Sequence, residues 1–309
     1  MTKVKVLICD PIHEDGVKML REAGLQVDLR PGIAGDELIG IVGGYDAIVV
    51  RSRTKVTREV LAAAGRLKAV ARAGVGLDNI DVEEAKKRGI HVINSPEAPS
   101  NAVAELVIGL MFSLARRIPE ADASMKRGEW IKRRLTGFEL RGRTLGVIGF
   151  GRIGYLVAKK AKALGMGVIT YDVIIDKLMN YVKEVGAEAV PLDELLASSD
   201  FITVHVPLLP QTRHMIGRRE IGMMKRGAYL INAARGAIVD EEALREALTS
   251  GRLAGAALDV YEEEPPRDTS LTGLANVVST PHIGAATVEA QRANSTIVAE
   301  KLIGLLARG

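Results

Sequence analysis

The chain has 309 residues, of which 47% are hydrophobic and 26% are charged, and its formal net charge is +4. This length predicts roughly two domains, and this composition is ordinary for a globular protein. No apolar run approaches the roughly 18 residues of a membrane span, and the N-terminal apolar stretch is too short for a signal peptide. The one cysteine, Cys9, excludes an internal disulfide framework. We therefore expect a cytoplasmic protein that has no membrane partner.

The basic residues are spread along the chain and are not gathered in one arm or tail. Aromatic residues make up 4% of the chain, too few for the stacking platforms with which proteins bind single-stranded nucleic acid. The modest excess of Lys and Arg suits a small anionic substrate at least as well as a polyanion. We therefore expect no nucleic-acid partner.

Short apolar strands alternate with amphipathic helices over the first third of the chain. The predicted strands are 4–9, 25–28, 47–50, 69–71 and 91–93, and the predicted helices are 13–23, 36–42, 58–64 and 82–88. This alternation predicts a parallel sheet with helices on both faces. Two prolines then break the pattern, and a long apolar helix is predicted over 102–116, with Ser100 or Asn101 as its cap.

A second series of strands and helices runs to about Pro281 and is followed by a last predicted helix over 286–306. Because no strand follows that helix, we expect it to pack back on the first sheet. The fold class is therefore α/β, with two doubly wound parallel-sheet lobes of Rossmann-like and flavodoxin-like type, a ligand cleft between them, and a chain that crosses twice. The first predicted domain is 1–98 plus 283–309, and the second predicted domain is 99–282.

A glycine-rich turn stands at the start of the second series. The apolar run before it leads into Gly149-Phe-Gly-Arg-Ile-Gly154, and an amphipathic stretch follows. In a dinucleotide fold these glycines make the tight turn, admit the pyrophosphate and allow close packing of helix on strand. A second strand, 167–171, ends at Asp172, close to where an acid meets a ribose 2′-hydroxyl. A carboxylate there would repel a 2′-phosphate, so this pattern predicts NAD and not NADP.

Three polar residues follow apolar strands in the second half of the chain, and together they suit hydride transfer. His282 is a candidate base for the hydroxyl proton, Glu264 a candidate partner for that histidine, and Arg235 a candidate clamp for an anionic substrate. On the residues alone, each has an ordinary alternative, since His282 could be structural and Arg235 could be a surface ion-pair partner. Glu262 and Glu263 stand beside Glu264, and at least two of the three are expected to be solvated.

Taken together, these motifs resemble the D-isomer-specific 2-hydroxyacid dehydrogenase family, over nearly the whole chain. The segments that carry the resemblance are 149–154 with Asp172, 200–207, 230–240 and the Pro-His-Ile-Gly sequence around His282. The resemblance implies that Arg235, Glu264 and His282 are the catalytic set, with no metal. It also implies an NAD site formed by Gly149, Gly151, Arg152, Ile153, Gly154, Asp172, Val206, Ala233, Ala234, Asp259, Gly284 and Ala285.

The resemblance further implies an anionic substrate bound in the first lobe, by Arg51, Ser52, Arg72 and Gly74. Two arginines there favour a 2-hydroxy acid that carries both a carboxylate and a phosphate. Two alternatives stay open: a reductase of glyoxylate, hydroxypyruvate or another simple 2-oxo acid, and a binding module or corepressor that senses NAD.

Assembly and regulation are also expectations from the resemblance. A homodimer or homotetramer is implied, and Lys132, Arg133 and Arg134 are candidates to reach a substrate phosphate across a dimer interface. The chain ends at Gly309 without the C-terminal regulatory domain of longer members. The resemblance therefore predicts no feedback through such a domain.

Overall fold

The computed structural model describes residues 3–306. The chain forms two compact units: the first runs up to Ser100 and resumes at Ala285, and the second is Asn101–Gly284. The chain therefore passes into the second unit once and returns once, so it crosses twice. The borders expected from the sequence, after residues 98 and 282, fall just N-terminal to these two junctions.

The first unit begins with five parallel strands that alternate with four helices. The strands are β1 (Lys5–Ile8), β2 (Gln26–Leu29), β3 (Ala47–Val50), β4 (Ala69–Arg72) and β5 (His91–Asn94), and the helices are α1 (Glu14–Glu22), α2 (Gly35–Ile41), α3 (Arg58–Ala63) and α4 (Val82–Lys87). The strand order is β2-β1-β3-β4-β5, which is the flavodoxin-like order.

The second unit follows the same rhythm with seven strands. Its strands are β6 (Thr144–Ile148), β7 (Gly167–Tyr171), β8 (Glu188–Ala189), β9 (Phe201–Val204), β10 (Tyr229–Asn232), β11 (Gly255–Leu258) and β12 (Val277–Ser279). Its helices are α5 (Ser100–Arg116), α6 (Ile118–Lys126), α7 (Arg152–Ala163), α8 (Ile175–Val185), α9 (Leu192–Ser198), α10 (Arg218–Met223) and α11 (Glu241–Thr249), and α12 (Val288–Leu306) then returns to the first unit. Within residues 3–306, three short 3₁₀ turns cover Val42–Gly44, Lys132–Arg134 and Gly236–Ile238.

Helices cover both faces of the first sheet. Alternate residues of a strand point to opposite faces, so each strand contributes side chains to both of the cores that these helices form. Leu7 of β1 packs into the core formed with α2, α3 and α4, whereas its neighbours Val6 and Ile8 pack into the core formed with α1 and α12. Val298 and Leu302 of α12 belong to that second core and are at most 1% exposed. Burial of each such side chain stabilises the fold by about 1.5–3 kcal/mol. The prediction that the last helix packs on the first sheet is confirmed.

The second sheet has the order β12-β11-β10-β9-β6-β7-β8. Its strands are parallel, and β6 lies between β7 and β9. This is the Rossmann order extended by one strand, and its switch point lies at the carboxyl ends of β6 and β9, where such sheets bind ligands. The two doubly wound parallel sheets confirm the predicted fold class.

The start of α5 corrects one expectation from the sequence. Ser100 and Asn101 are both helical, and the hydroxyl of Ser100 donates to the carbonyl of Pro96 at 3.4 Å. The serine therefore bonds one turn back along the chain instead of capping the N–H groups ahead of it. Among the helices within residues 3–306, none is both long and apolar enough to cross a membrane.

Candidate active site

The glycine loop joins β6 to α7 and leaves open space before the helix. A Cβ on Gly154 would lie 2.1 Å from the carbonyl oxygen of Gly149, so the helix reaches this position because residue 154 is glycine. Apart from its two chain neighbours, a Cβ on Gly151 would meet no atom of the described chain within 4 Å. Packing within the protein therefore does not require glycine at 151. A pyrophosphate bound at the N-terminus of α7 would require it, because the backbone must approach the phosphates closely.

Asp172 lies beside this loop because β7 pairs with β6. One carboxylate oxygen accepts the N–H of Phe150 at 2.8 Å, and the other accepts the N–H of Ile174 at 3.0 Å. These bonds fix the acid next to the glycine loop, the place from which a carboxylate reaches a ribose.

The other predicted cofactor residues follow the ends of further strands in the same sheet. Because the strands are parallel, their carboxyl ends share one edge, and the loops that follow them are on that edge. Arg152 and Ile153 start α7, Val206 follows β9, Ala233 and Ala234 follow β10, Asp259 follows β11 and Gly284 follows β12, whereas Ala285 begins the returning segment of the first unit. The residues of the second unit therefore fit a bound dinucleotide along this edge.

The two glycines make a test that separates cofactor binding from folding. We expect Gly151→Ser to keep the unfolding temperature, since serine is favoured at a helix N-cap, while it raises the Kd for NADH about tenfold by occupying the phosphate space. Gly154→Ala should instead destabilise the protein, because its Cβ meets backbone. Fluorescence titration with NADH and thermal unfolding measure both. Unchanged NADH affinity in Gly151→Ser would contradict the assignment of this loop.

Asp259 holds the segment that carries His282. The aspartate is 1% exposed, and its oxygens accept the hydroxyl of Thr280 at 2.6 Å and the N–H groups of Ile283 and Gly284 at 2.8 Å each. His282 has a φ of 54°, a left-handed conformation that costs a residue with a Cβ about 1–2 kcal/mol. These contacts give Asp259 a positioning role that its sequence setting did not reveal.

His282 and Glu264 form a hydrogen-bonded pair. Nδ1 of the histidine lies 2.7 Å from Oε2 of the glutamate, and the other glutamate oxygen accepts the N–H of Tyr261 at 3.2 Å. Because an ionised carboxylate only accepts hydrogen bonds, Nδ1 carries the proton and the lone pair of the neutral ring lies on Nε2. The side chains are 46% and 39% exposed, so the pair is open to a reactant.

The pKa of Glu264 is lowered. Burial alone would raise the pKa, but the hydrogen bond and charge of His282, the N–H of Tyr261 and the charge of Arg235 outweigh burial. A folded pKa below the unfolded value means that these contacts add stability at neutral pH, which is lost as the pH falls through the folded pKa. The carboxylate therefore stays ionised beside the histidine at neutral pH.

Arg235 follows β10 and is held by its neighbours. The side-chain amide of Asn232 donates to the carbonyl of Arg235 at 2.9 Å and accepts the N–H of Ala234 at 3.1 Å. Nη1 of Arg235 donates to the carbonyl of Ala234 at 2.7 Å, and its charge acts on Glu264. The second unit therefore brings Arg235, Glu264 and His282 together.

Three contacts that the sequence did not suggest fix the segment before Glu264. A Cβ on Gly236 would lie 1.9 Å from the carbonyl carbon of Tyr261, so the chain beside Arg235 touches the chain that leads to Glu264. Nε2 of His214 lies 2.9 Å from a carboxylate oxygen of Glu262, whose N–H donates to Glu241 at 2.7 Å. A cavity of about 390 Å³ adjoins the pair, lined by Tyr261, Glu264, Pro265, Pro266, Thr272, Ser279, Thr280, Pro281 and His282.

The predicted substrate residues lie at the carboxyl edge of the first sheet. Arg51 and Ser52 follow β3, Arg72 ends β4, and Gly74 follows it. Nε of Arg72 donates to the carbonyl of Arg51 at 3.4 Å, and its Nη1 donates to the carbonyl of Gly76. A Cβ on Gly74 would lie 3.2 Å from Nη1 of Arg72. The first unit therefore brings these residues together, and Arg72 also supports the backbone there.

A Rossmann-type sheet with an open glycine loop, an acid beside it and a histidine–glutamate pair at the same edge defines a dinucleotide-binding domain equipped for proton transfer. Residues 108–284 match the family model described as D-isomer specific 2-hydroxyacid dehydrogenase, NAD binding domain. The chain belongs to the D-isomer-specific 2-hydroxyacid dehydrogenase family, and NAD is its cofactor.

Similar proteins differ in their stated substrate. The D-3-phosphoglycerate dehydrogenase of Methanocaldococcus jannaschii is 54% identical over 300 residues, which cover 97% of this chain and 57% of that protein. The chain thus spans about half the length of that relative. The hydroxypyruvate reductase of Thermotoga maritima is 46% identical, over 98% of both chains. The crystal structure of a Thermus thermophilus protein, TT0316, superposes with a TM-score of 0.89 at 36% identity, covering 99% of this chain and 97% of that one.

Proposed function

We propose that this chain catalyses the NAD-dependent oxidation of D-3-phosphoglycerate to 3-phosphohydroxypyruvate, the first step of phosphorylated serine biosynthesis. The observation that carries the reaction class is the 2.7 Å contact between His282 and Glu264, with the charge of Arg235 acting on the same carboxylate. Family membership supports the same class of reaction.

The chemistry follows from the atoms at the edge of the second sheet. Nε2 of His282 takes the proton of the substrate hydroxyl, because Nδ1 is committed to Glu264. The carboxylate of Glu264 stabilises the imidazolium that forms, and Arg235 binds the substrate carboxylate and orients the C2 oxygen. Bound NAD supplies the acceptor for the hydride that leaves C2. Asp259 keeps His282 in the conformation that presents Nε2.

In the same proposal, Arg51, Ser52, Arg72 and the backbone at Gly74 bind the anionic groups of the substrate. Support for a phosphorylated substrate comes from the relatives named D-3-phosphoglycerate dehydrogenase, of which two are 54% and 50% identical to this chain. We also propose that the chain acts as a homodimer or homotetramer.

Reduction of hydroxypyruvate, glyoxylate or another 2-oxo acid is the second candidate. The observation that favours it is the Thermotoga maritima hydroxypyruvate reductase, which matches this chain over 98% of both lengths. A third candidate, an NAD-sensing binding module, would not need the histidine–glutamate pair. Formation of NADH on addition of D-3-phosphoglycerate tests the proposal, and a chain that binds NADH but converts no 2-hydroxy or 2-oxo acid would favour the binding module.

Lys132, Arg133 and Arg134 form an exposed 3₁₀ turn in the second unit, and we propose that Arg133 helps to bind the phosphate of the substrate. Arg133→Glu is then expected to lower kcat/KM for 3-phosphohydroxypyruvate about tenfold, and to leave hydroxypyruvate almost unaffected, because a charge-assisted bond is worth about 1.5–3 kcal/mol. Lys87→Glu, at an exposed site on α4, is the control with the same change in net charge. Equal losses for both substrates, or in both variants, would count against a phosphate contact.

A further inference from the structure

The loop formed by residues 51–54 follows β3 and carries two of the predicted substrate residues. Arg51 is half-buried and Ser52 is exposed, whereas Thr54 is buried. The backbone of this loop is bonded by polar side chains that come from two other places in the first unit. Neither of these side chains belongs to the residue set predicted from the sequence to bind substrate.

Asp10, two residues after the end of β1, binds the loop from one side. One carboxylate oxygen accepts the N–H of Arg51 at 2.6 Å and the N–H of Thr54 at 3.2 Å. The other accepts the hydroxyl of Thr54 at 2.8 Å and Nε of Arg53 at 3.2 Å. Each of these four bonds comes from the 51–54 loop.

Asn79 binds the same loop by donating to backbone carbonyl groups of the loop. Its side-chain nitrogen donates to the carbonyl of Arg51 at 2.7 Å and to the carbonyl of Thr54 at 2.6 Å. Within residues 3–306, the Oδ1 atom of Asn79 is buried and has no hydrogen-bond partner. Burial of a polar atom without a hydrogen bond costs free energy. The two bonds from the amide nitrogen of Asn79 to the loop are the side-chain contacts that offset this cost.

Asp46 shows that a buried aspartate in this unit can serve the scaffold alone. It precedes β3 at the opposite edge of the sheet, and it accepts the N–H of Lys5 at 2.8 Å and Nη2 of Arg66 at 2.9 Å. Asp46 is 6% exposed and Asp10 is 1% exposed. Both carboxylates are thus buried, but only the bonds of Asp10 go to the loop that carries Arg51 and Ser52.

The pKa of Asp10 agrees with a carboxylate that stays ionised. Burial alone would raise this pKa, but the hydrogen bonds from Arg51, Thr54 and Arg53 lower it. A charged acceptor makes stronger hydrogen bonds than a neutral one, so the loop is held more firmly than an amide or hydroxyl would hold it.

We propose that Asp10 and Asn79 are positioning residues that fix the 51–54 loop in the conformation in which Arg51 and Ser52 bind the substrate anion. This inference rests on the proposed function, which assigns the anionic groups of the substrate to that loop. Fixing the loop during folding removes the entropic cost of ordering it when the substrate binds. Loss of Asp10 or Asn79 is therefore expected to weaken substrate binding and to leave cofactor binding unchanged.

The test compares Asp10→Asn with Asp46→Asn as a matched control for loss of a buried carboxylate. We expect Asp10→Asn to raise KM for the 2-oxo acid at least about tenfold, the loss expected for charged hydrogen bonds, while the Kd for NADH stays unchanged. Asp46→Asn should lower the unfolding temperature without raising KM. Asn79→Leu should likewise raise KM and leave the Kd for NADH unchanged. Thr54→Val should also raise KM, whereas Thr54→Ser, which keeps the hydroxyl, should have the KM of the wild type.

The proposed function and the positioning role fail in different ways. The kinetics are measured with 3-phosphohydroxypyruvate, hydroxypyruvate and glyoxylate, so a wild-type enzyme that ignores the phosphorylated acid overturns the substrate assignment. The positioning role is then judged on the acid that the wild type reduces. If the wild type reduces none of the three, it is judged on thermal unfolding with D-3-phosphoglycerate. The positioning role then predicts that this compound protects the wild type against unfolding and does not protect Asp10→Asn. If Asp10→Asn raises KM no more than Asp46→Asn, or weakens NADH binding equally, Asp10 is structural. If Asp10→Asn does not fold, the two Thr54 variants and Asn79→Leu decide the question by the same criteria.

Discussion

His282→Ala is expected to lower kcat by about 10³-fold while the Kd for NADH stays within about twofold of wild type. The reason is geometric, since Nδ1 of His282 is bound to Glu264 at 2.7 Å and Nε2 is the ring atom that remains to take a proton. Alanine removes the base and leaves the glycine loop and Asp172 in place. Stopped-flow reduction of a 2-oxo acid and NADH titration measure the two quantities separately.

Two further variants make the interpretation specific. Glu264→Gln keeps the shape of the side chain but removes its charge, so it should lower kcat by about 10²-fold. His91→Ala, at an exposed histidine that begins β5, should leave kcat unchanged. If His282→Ala retains kcat within about tenfold of wild type, the pair is structural and the proposed role of His282 is wrong.

Gly236→Ala is expected to lower kcat by about 10²-fold and the free energy of unfolding by about 1–3 kcal/mol. The added Cβ would lie 1.9 Å from the carbonyl carbon of Tyr261 and 2.4 Å from the nitrogen of Glu262. Both atoms are backbone, so the chain that leads to Glu264 must move away from the chain that carries Arg235. Denaturant unfolding and steady-state kinetics give the two effects.

Gly222→Ala is the matched control, because a Cβ at this helical position meets no atom of the described residues within 4 Å apart from its chain neighbours and the backbone of its own helix. Alanine there should stabilise the protein slightly and leave kcat unchanged. If Gly236→Ala loses stability but keeps full kcat, the contact with Tyr261 matters for packing and does not align Arg235 with Glu264.

The sequence predicts the fold well because strand and helix periods are local signals. The predicted strands at 47–50 and 167–171 match β3 and β7 at both ends. The glycine loop and the three polar residues after apolar strands are also visible in sequence. Parallel strands place the residues that follow them along one edge of a sheet. The convergence of the three polar residues within the second unit therefore follows from their positions after parallel strands.

Contacts between distant segments are harder to predict from sequence. Asp10 is a polar residue directly after the strand predicted at 4–9, and that position is a signal, but its partners lie 41 to 44 residues further along the chain. The bonds of Asp259 to the His282 segment likewise depend on how β11 and β12 pair. The close approach of Gly236 to Tyr261 depends on backbone geometry that no residue pattern specifies.

The most direct test of the proposed function is kcat/KM for 3-phosphohydroxypyruvate against hydroxypyruvate, measured with NADH under identical conditions. A phosphate bound by charge-assisted hydrogen bonds predicts a preference of about 10²-fold or more for the phosphorylated acid. Equal values for the two acids would contradict the phosphoglycerate assignment and favour the hydroxypyruvate reductase alternative.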